Sequence, residues 1–257
     1  MNESNISTDF DNVFSKLQIV LLSKDFENLD EILREIIYYS NELNIQHLNV
    51  IDLAIKNYVI EERKKYFKIE NHLNSIKFSN SNPNSTNFIV NDVNKASFNN
   101  STKHLIKLAQ NRETSDSLIN KYTFIEDESK KKVLIELSEI YKKSLLKKYD
   151  QYIKIFEEFA DMKLKNGNNI KNKFESEYNL FFTKYIADFK RYKYELSSTE
   201  ENKESANSSY LKAYQYASEI SQKNNILNLK FILNYTVFLH DVLSENEKAI
   251  NIIKSIL

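Results

Sequence analysis

Residues 180–196 read LFFTKYIADFKRYKYEL. Apolar side chains recur every three to four positions along this run, the period of an amphipathic helix. One side of that helix is mixed. Lys184, Asp188, Arg191, Tyr192 and Glu195 follow at i, i+4, i+7, i+8 and i+11, so an ammonium, two carboxylates, a guanidinium and a phenol share one face. Such a stripe is either a solvated surface or a set of groups converging on something charged. The rest of the chain decides what fold carries it. Among 257 residues there is one glycine, Gly167, and one proline, Pro83. Turns between strands need these residues to supply positive φ or to fix φ. The expected fold is therefore all-α, with helices near 10–23, 26–43, 46–76, 129–163, 168–197, 200–222, 225–243 and 245–257, short links making neighbours antiparallel. Ser198 with Glu201, and Ser244 with Glu247, have the spacing of a capping box. Gly167 lies in a helix-ending loop.

Residues 77–128 break the period. The stretch KFSNSNPNSTNFIVNDVNKASFNNSTKH is rich in Asn and Ser, which compete with the helix for backbone hydrogen bonds, and it holds the proline. It reads as a loop insertion, with one short helix near Lys103 to Gln110, inside a single domain of residues 1–257.

The same scarcity of glycine excludes phosphate-cradling loops, dinucleotide-binding loops and the nucleophile elbow of hydrolases. There is no cysteine, so disulfides and thiolate metal sites are excluded. Lysine and arginine equal aspartate and glutamate at 36 each, which argues against a nucleic-acid or acidic-membrane partner. The N-terminus lacks the basic start and long apolar core of a signal peptide. No segment has the ~20 apolar residues that span a bilayer, so a cytoplasmic or nucleocytoplasmic location is expected. The four histidines show no metal-binding spacing. His240 and Asp241 are adjacent, and neighbours on a helix point about 100° apart, so they are not expected to pair. With no nucleophile, base and oxyanion site in view, neither catalysis, metal nor cofactor is expected.

Two other stretches carry mixed stripes. In AIKNYVIEERKKYF, Lys56 and Arg63 lie seven apart, within about 20° of one another on a helix. In FILNYTVFLHDVL, Leu233, Asn234, Val237 and Asp241 form a face half apolar and half polar.

The stretches LFFTKYIADFKRYKYEL, SYLKAYQYASEI and FILNYTVFLHDVLSENEKAINIIK resemble consecutive helices of the 14-3-3 family, whose patterns there run F-Y-x-K-M-x-x-D-Y-x-R-Y-x-x-E, S-x-x-A-Y-x-x-A-S-x-I and L-x-L-N-F-S-V-F-x-x-E-I-L. The likeness is specific from about Tyr178 to Lys254, looser over Asp25 to Tyr66, and absent across the insertion. It implies a helical bundle with a concave amphipathic groove. It further implies that Arg63, Arg191 and Tyr192 bind the phosphate of phosphoserine or phosphothreonine, with Lys56 beside them. Asn234 would bond the peptide backbone, Leu233 and Val237 would line the apolar wall, and Lys184 the floor. Asp188 would orient the basic cluster, and Asp241 stands where the family has glutamate. The chemistry fits: a phosphomonoester carries about −1.5 to −2 charges, and guanidinium forks match its oxygens.

Three departures qualify the expectation. Phe67 occupies the place of a further arginine, and Glu61 and Glu62 lower the local positive potential. The sequence ends at Leu257 in what resembles the eighth helix; if the family's ninth helix is truly lost, a half-open groove is expected. IVLLSKD puts Asp25 where the family's dimer uses arginine, so the implied homodimer is expected to be weakened or lost. The expected function is a phosphopeptide-dependent adaptor in signalling. The alternative is a scaffold of the same architecture that has lost or altered phosphopeptide recognition and binds through the apolar groove or the inserted loop.

Overall fold

A computed structural model describes residues 3–39, 43–80, 127–166, 175–220 and 225–256. Among them are eight helices and no strand: α1 (Glu3–Ser23), α2 (Leu29–Tyr38), α3 (Ile45–Asn80), α4 (Asp127–Asn166), α5 (Glu175–Leu196), α6 (Glu200–Glu219), α7 (Ile226–Asp241) and α8 (Asn246–Ile256). The all-α expectation holds. Helix α2 begins later than the period implied, because Asp25 accepts the Glu27 N–H at 3.2 Å and holds a turn before Leu29, and it ends at Tyr38. Helices α3 and α4 reach into the ends of the segment read as an insertion. Its remainder, with the helix expected near Lys103, and the loop at Gly167 lie outside the described residues. No described helix is long and apolar enough to cross a membrane.

The chain divides into two compact units, one of residues 1–56 with 146–257, the other of residues 57–145. In the first, α5 is the central rod. All ten residues from Leu180 to Phe189 are buried, the mark of a helix enclosed on every side. Its rings stack on those of α4: Phe182 lies 4.4 Å from Phe159, and Phe189 lies 5.3 Å from Tyr152 in nearly parallel planes. Tyr210 of α6 stacks against Phe238 of α7 at 4.7 Å. Such contacts stabilise by about 0.5–1.5 kcal/mol each beyond their buried area. The three-residue link between α5 and α6 makes them antiparallel neighbours. In the second unit Tyr66, Ile69 and Leu73 of α3 and Val133, Leu134 and Leu137 of α4 are buried, and Ser138 donates to Glu70.

Both capping boxes are corrected. Thr199, not Ser198, caps α6 by accepting the Asn202 N–H at 3.3 Å, while Ser198 donates back to the Tyr194 carbonyl. Ser244 adopts a left-handed φ of 58° in the tight link after α7 instead of capping α8. Lys24, just past α1, has φ 56°. With so few glycines, these helix-ending positions fall on residues whose Cβ crowds the following carbonyl. Lys24→Gly and Ser244→Gly are each expected to stabilise the protein by about 0.5–1 kcal/mol, read as a raised denaturant midpoint at unchanged m-value. Lower midpoints for both would show that the left-handed backbone is not strained there.

Candidate functional site

The mixed stripe of α5 is not a solvated surface. Lys184 and Asp188 are 1% and 2% exposed, one turn apart, with Nζ 2.8 Å from Oδ2. The same oxygen accepts the Asn234 side-chain N–H of α7 at 2.8 Å, and Oδ1 accepts the Tyr210 hydroxyl of α6 at 2.7 Å. Asp188 thus ties three helices together, and every bond converging on it is charge-assisted. Orienting the Asn234 amide toward a carboxylate leaves its carbonyl as the acceptor for a ligand.

Arg191 joins this network at one remove. Its Nε donates to the Tyr210 hydroxyl at 3.1 Å, so the expected hold of Asp188 on the arginine runs through a phenol. Its Nη1 donates to Glu195. The guanidinium carbon lies 4.7 Å from the centre of the Tyr192 ring, which is itself flanked by Tyr149 and Phe189. Burial alone would make Arg191 easier to deprotonate; the oxygens of Tyr210 and Tyr192 and the charges of Asp188 and Glu195 outweigh it and hold the proton more firmly. Burial, then Asp188, pushes the Tyr210 phenol well above its ordinary value. It therefore stays protonated, a donor to the carboxylate and an acceptor from the arginine.

A second carboxylate organises α3. Asp52, 5% exposed, accepts from the Tyr185 hydroxyl on Oδ1. Its Oδ2 is 2.9 Å from Lys56 Nζ and 2.9 Å from Lys230 Nζ of α7. Burial would raise its pKa, but the bonds from Tyr185, Lys56 and Lys230 together bring it down to about 2 from 3.8. A carboxyl held below its unfolded value stabilises the fold above that value, and the contribution is lost as pH falls from about 4 toward 2. Acid titration of stability should show about 2 kcal/mol lost across that window, and Asp52→Asn should lack this component. Equal acid sensitivity in the two proteins would remove Asp52 from the explanation.

The predicted residues fall into groups. Lys184, Asp188 and Asn234 are brought together, with Arg191 and Tyr192 next along α5. Lys56 belongs to the Asp52 cluster. Leu233 and Val237 lie on α7 at 64% and 39% exposure, available to an apolar partner. Arg63 lies in the second unit, its guanidinium carbon 5.1 Å from the centre of the Phe67 ring. Asp241 does pair with His240, at 2.6 Å, contrary to expectation. Asp241 is the last residue of α7, and both side chains are exposed enough to curl toward one another. Tyr185, Tyr210, Asp52 and Lys230 escaped the reading of candidate residues. The one local signal for them was spacing: Asp52 precedes Lys56 by four residues, and Lys230 precedes Asn234 by four. Among the described residues no cluster of three or more histidines and carboxylates could hold a metal ion.

The family described as 14-3-3 protein matches residues 84–257, which include α4 to α8 and all the site residues except Asp52, Lys56 and Arg63. The match also takes in most of the Asn/Ser-rich stretch. A 14-3-3 protein homolog of Encephalitozoon cuniculi is 40% identical over 81 residues, 30% of this chain and 31% of the relative. The 14-3-3 protein 2 of Entamoeba histolytica is 32% identical over 127 residues, 47% and 49% of the two chains. The 14-3-3 protein beta/alpha of Mus musculus is 36% identical over 90 residues, 34% and 36%. The chain spans about a third to a half of the length of these curated relatives. With the family pattern covering more than half of the sequence and falling on the helices that build the Asp188 network, the chain belongs to the 14-3-3 family.

Proposed function

We propose that this protein is a phosphoserine- or phosphothreonine-dependent adaptor with no catalytic step. Arg191 and Tyr192 hold the phosphate, with Lys56 beside them. Arg63 is the further cation that the family likeness implies, and Arg63→Ala tests its contribution separately. Asn234 bonds the peptide backbone, Leu233 and Val237 take apolar side chains, and Lys184 and Asp188 support the floor. Recognition of phosphorylated motifs by arginine is a general mode of peptide binding. The observation that carries the reading is the chain of bonds from buried Asp188 through Tyr210 to Arg191. It orients the guanidinium before any ligand arrives, which lowers the ordering cost of binding. Asp241, paired with His240 at the end of α7, is the remaining acidic residue of the groove. Family membership also favours a homodimer, whose strength light scattering across a dilution series would measure.

Titration of a phosphoserine peptide and its unmodified twin is the test. Affinity for the phosphorylated form alone supports the reading; equal affinities would end it. One observation favours the second reading, a scaffold with altered recognition: Glu195 already occupies Nη1 of Arg191 and repels an incoming anion. Under the phosphate reading, Glu195→Gln should tighten phosphopeptide binding by roughly threefold. Unchanged affinity in that variant would favour the scaffold.

A further inference from the structure

Asp52 places two ammonium groups from separate helices on one carboxylate oxygen. Lys56 of α3 and Lys230 of α7 each stand 2.9 Å from Oδ2, so their nitrogens cannot lie farther apart than the sum of those distances. Like charges this close need a counter-charge between them, and Asp52 supplies only one. The carboxylate is 8% exposed as a side chain, whereas Lys56 and Lys230 are 42% and 34% exposed. The cluster therefore carries a net positive charge, with the negative group buried and both positive groups facing outward. Each ammonium has three donors and directs one at Asp52, which leaves two for a ligand. Tyr185 fixes the other carboxylate oxygen, so the seat is rigid where it is buried. Lys230 stands one turn before Asn234 on α7, between exposed Leu229 and Leu233. That is the face on which the proposed function lays the peptide.

We propose that Lys230, held beside Lys56 by Asp52, is a specificity residue that receives a second anionic group on the bound peptide, close in sequence to the phosphorylated residue. The inference rests on the phosphopeptide reading above. The second group is a carboxylate side chain or another phosphate; both offer anionic oxygens to an ammonium. An extended peptide advances about 3.3 Å per residue, so neighbouring nitrogens on Asp52 address positions within about two residues of one another.

The test uses the full chain and synthetic phosphoserine peptides that differ at one position, scanned over three residues on either side. Each position carries alanine, glutamate or a second phosphoserine. At one position the wild type should bind the glutamate peptide roughly threefold more tightly than the alanine peptide, with the gap shrinking as salt rises. Stronger preference for phosphoserine than for glutamate assigns the seat to phosphate, and the reverse assigns it to carboxylates. Lys230→Gln should abolish the preference, and Lys230→Arg should keep it. The preference is a ratio within one protein, so a loss of folded fraction does not imitate the result, and circular dichroism confirms the fold of each variant. Phosphopeptide binding with no flanking preference, or a preference that survives Lys230→Gln, overturns this inference alone. Absence of any phosphopeptide binding overturns it together with the adaptor reading.

Discussion

Asp188→Ala is expected to destabilise the protein by about 3–5 kcal/mol, the range found when one partner of a buried ion pair is removed. Three groups lose their acceptor at once. The Lys184 ammonium, 1% exposed, is left with the face of the Tyr185 ring, 4.0 Å away, and the charge of Asp52. Tyr210 loses the carboxylate it donates to, and Asn234 loses its link to α5. A buried ammonium that has lost its hydrogen-bonded carboxylate is the largest of these penalties, because desolvation of a charge exceeds that of a neutral donor. Asp188→Leu combined with Lys184→Met should recover much of the loss, since neither charge of this pair then remains buried. Chemical denaturation measures both. A loss below about 1 kcal/mol for Asp188→Ala would mean that water reaches the pair and that the network does not organise the helices.

Arg191→Ala is expected to weaken phosphoserine-peptide binding by about 2–5 kcal/mol, with affinity for the unmodified peptide unchanged. The guanidinium has five donors and spends two on Tyr210 and Glu195, so the remainder can meet the phosphate. Arg191→Lys should restore only part of the affinity, because an ammonium cannot offer the two parallel bonds of the fork. Anisotropy titration of a labelled peptide reads each variant. Binding within twofold of the wild type for Arg191→Ala would place the phosphate elsewhere.

Much of the first unit was legible in the sequence, for a local reason. Helical spacing is a property of neighbouring residues, so Lys184, Asp188 and Arg191 could be placed on one face of α5 before any packing was known. The cap of α6 was misread by one residue because Ser198 and Thr199 offer the same hydroxyl, and only backbone geometry chooses between them. The pairing of His240 with Asp241 was missed because ideal helical angles were applied to the last turn, where α7 ends.

Near-absence of glycine and proline determined an all-helical chain, and the 3.6-residue period determined which residues share a helix face. Tertiary structure alone decided that Tyr210 connects Asp188 to Arg191 and that Lys230 reaches Asp52, 178 positions earlier in the chain. Partners on different helices meet through the register in which the helices pack, and that register leaves no periodic trace along the sequence.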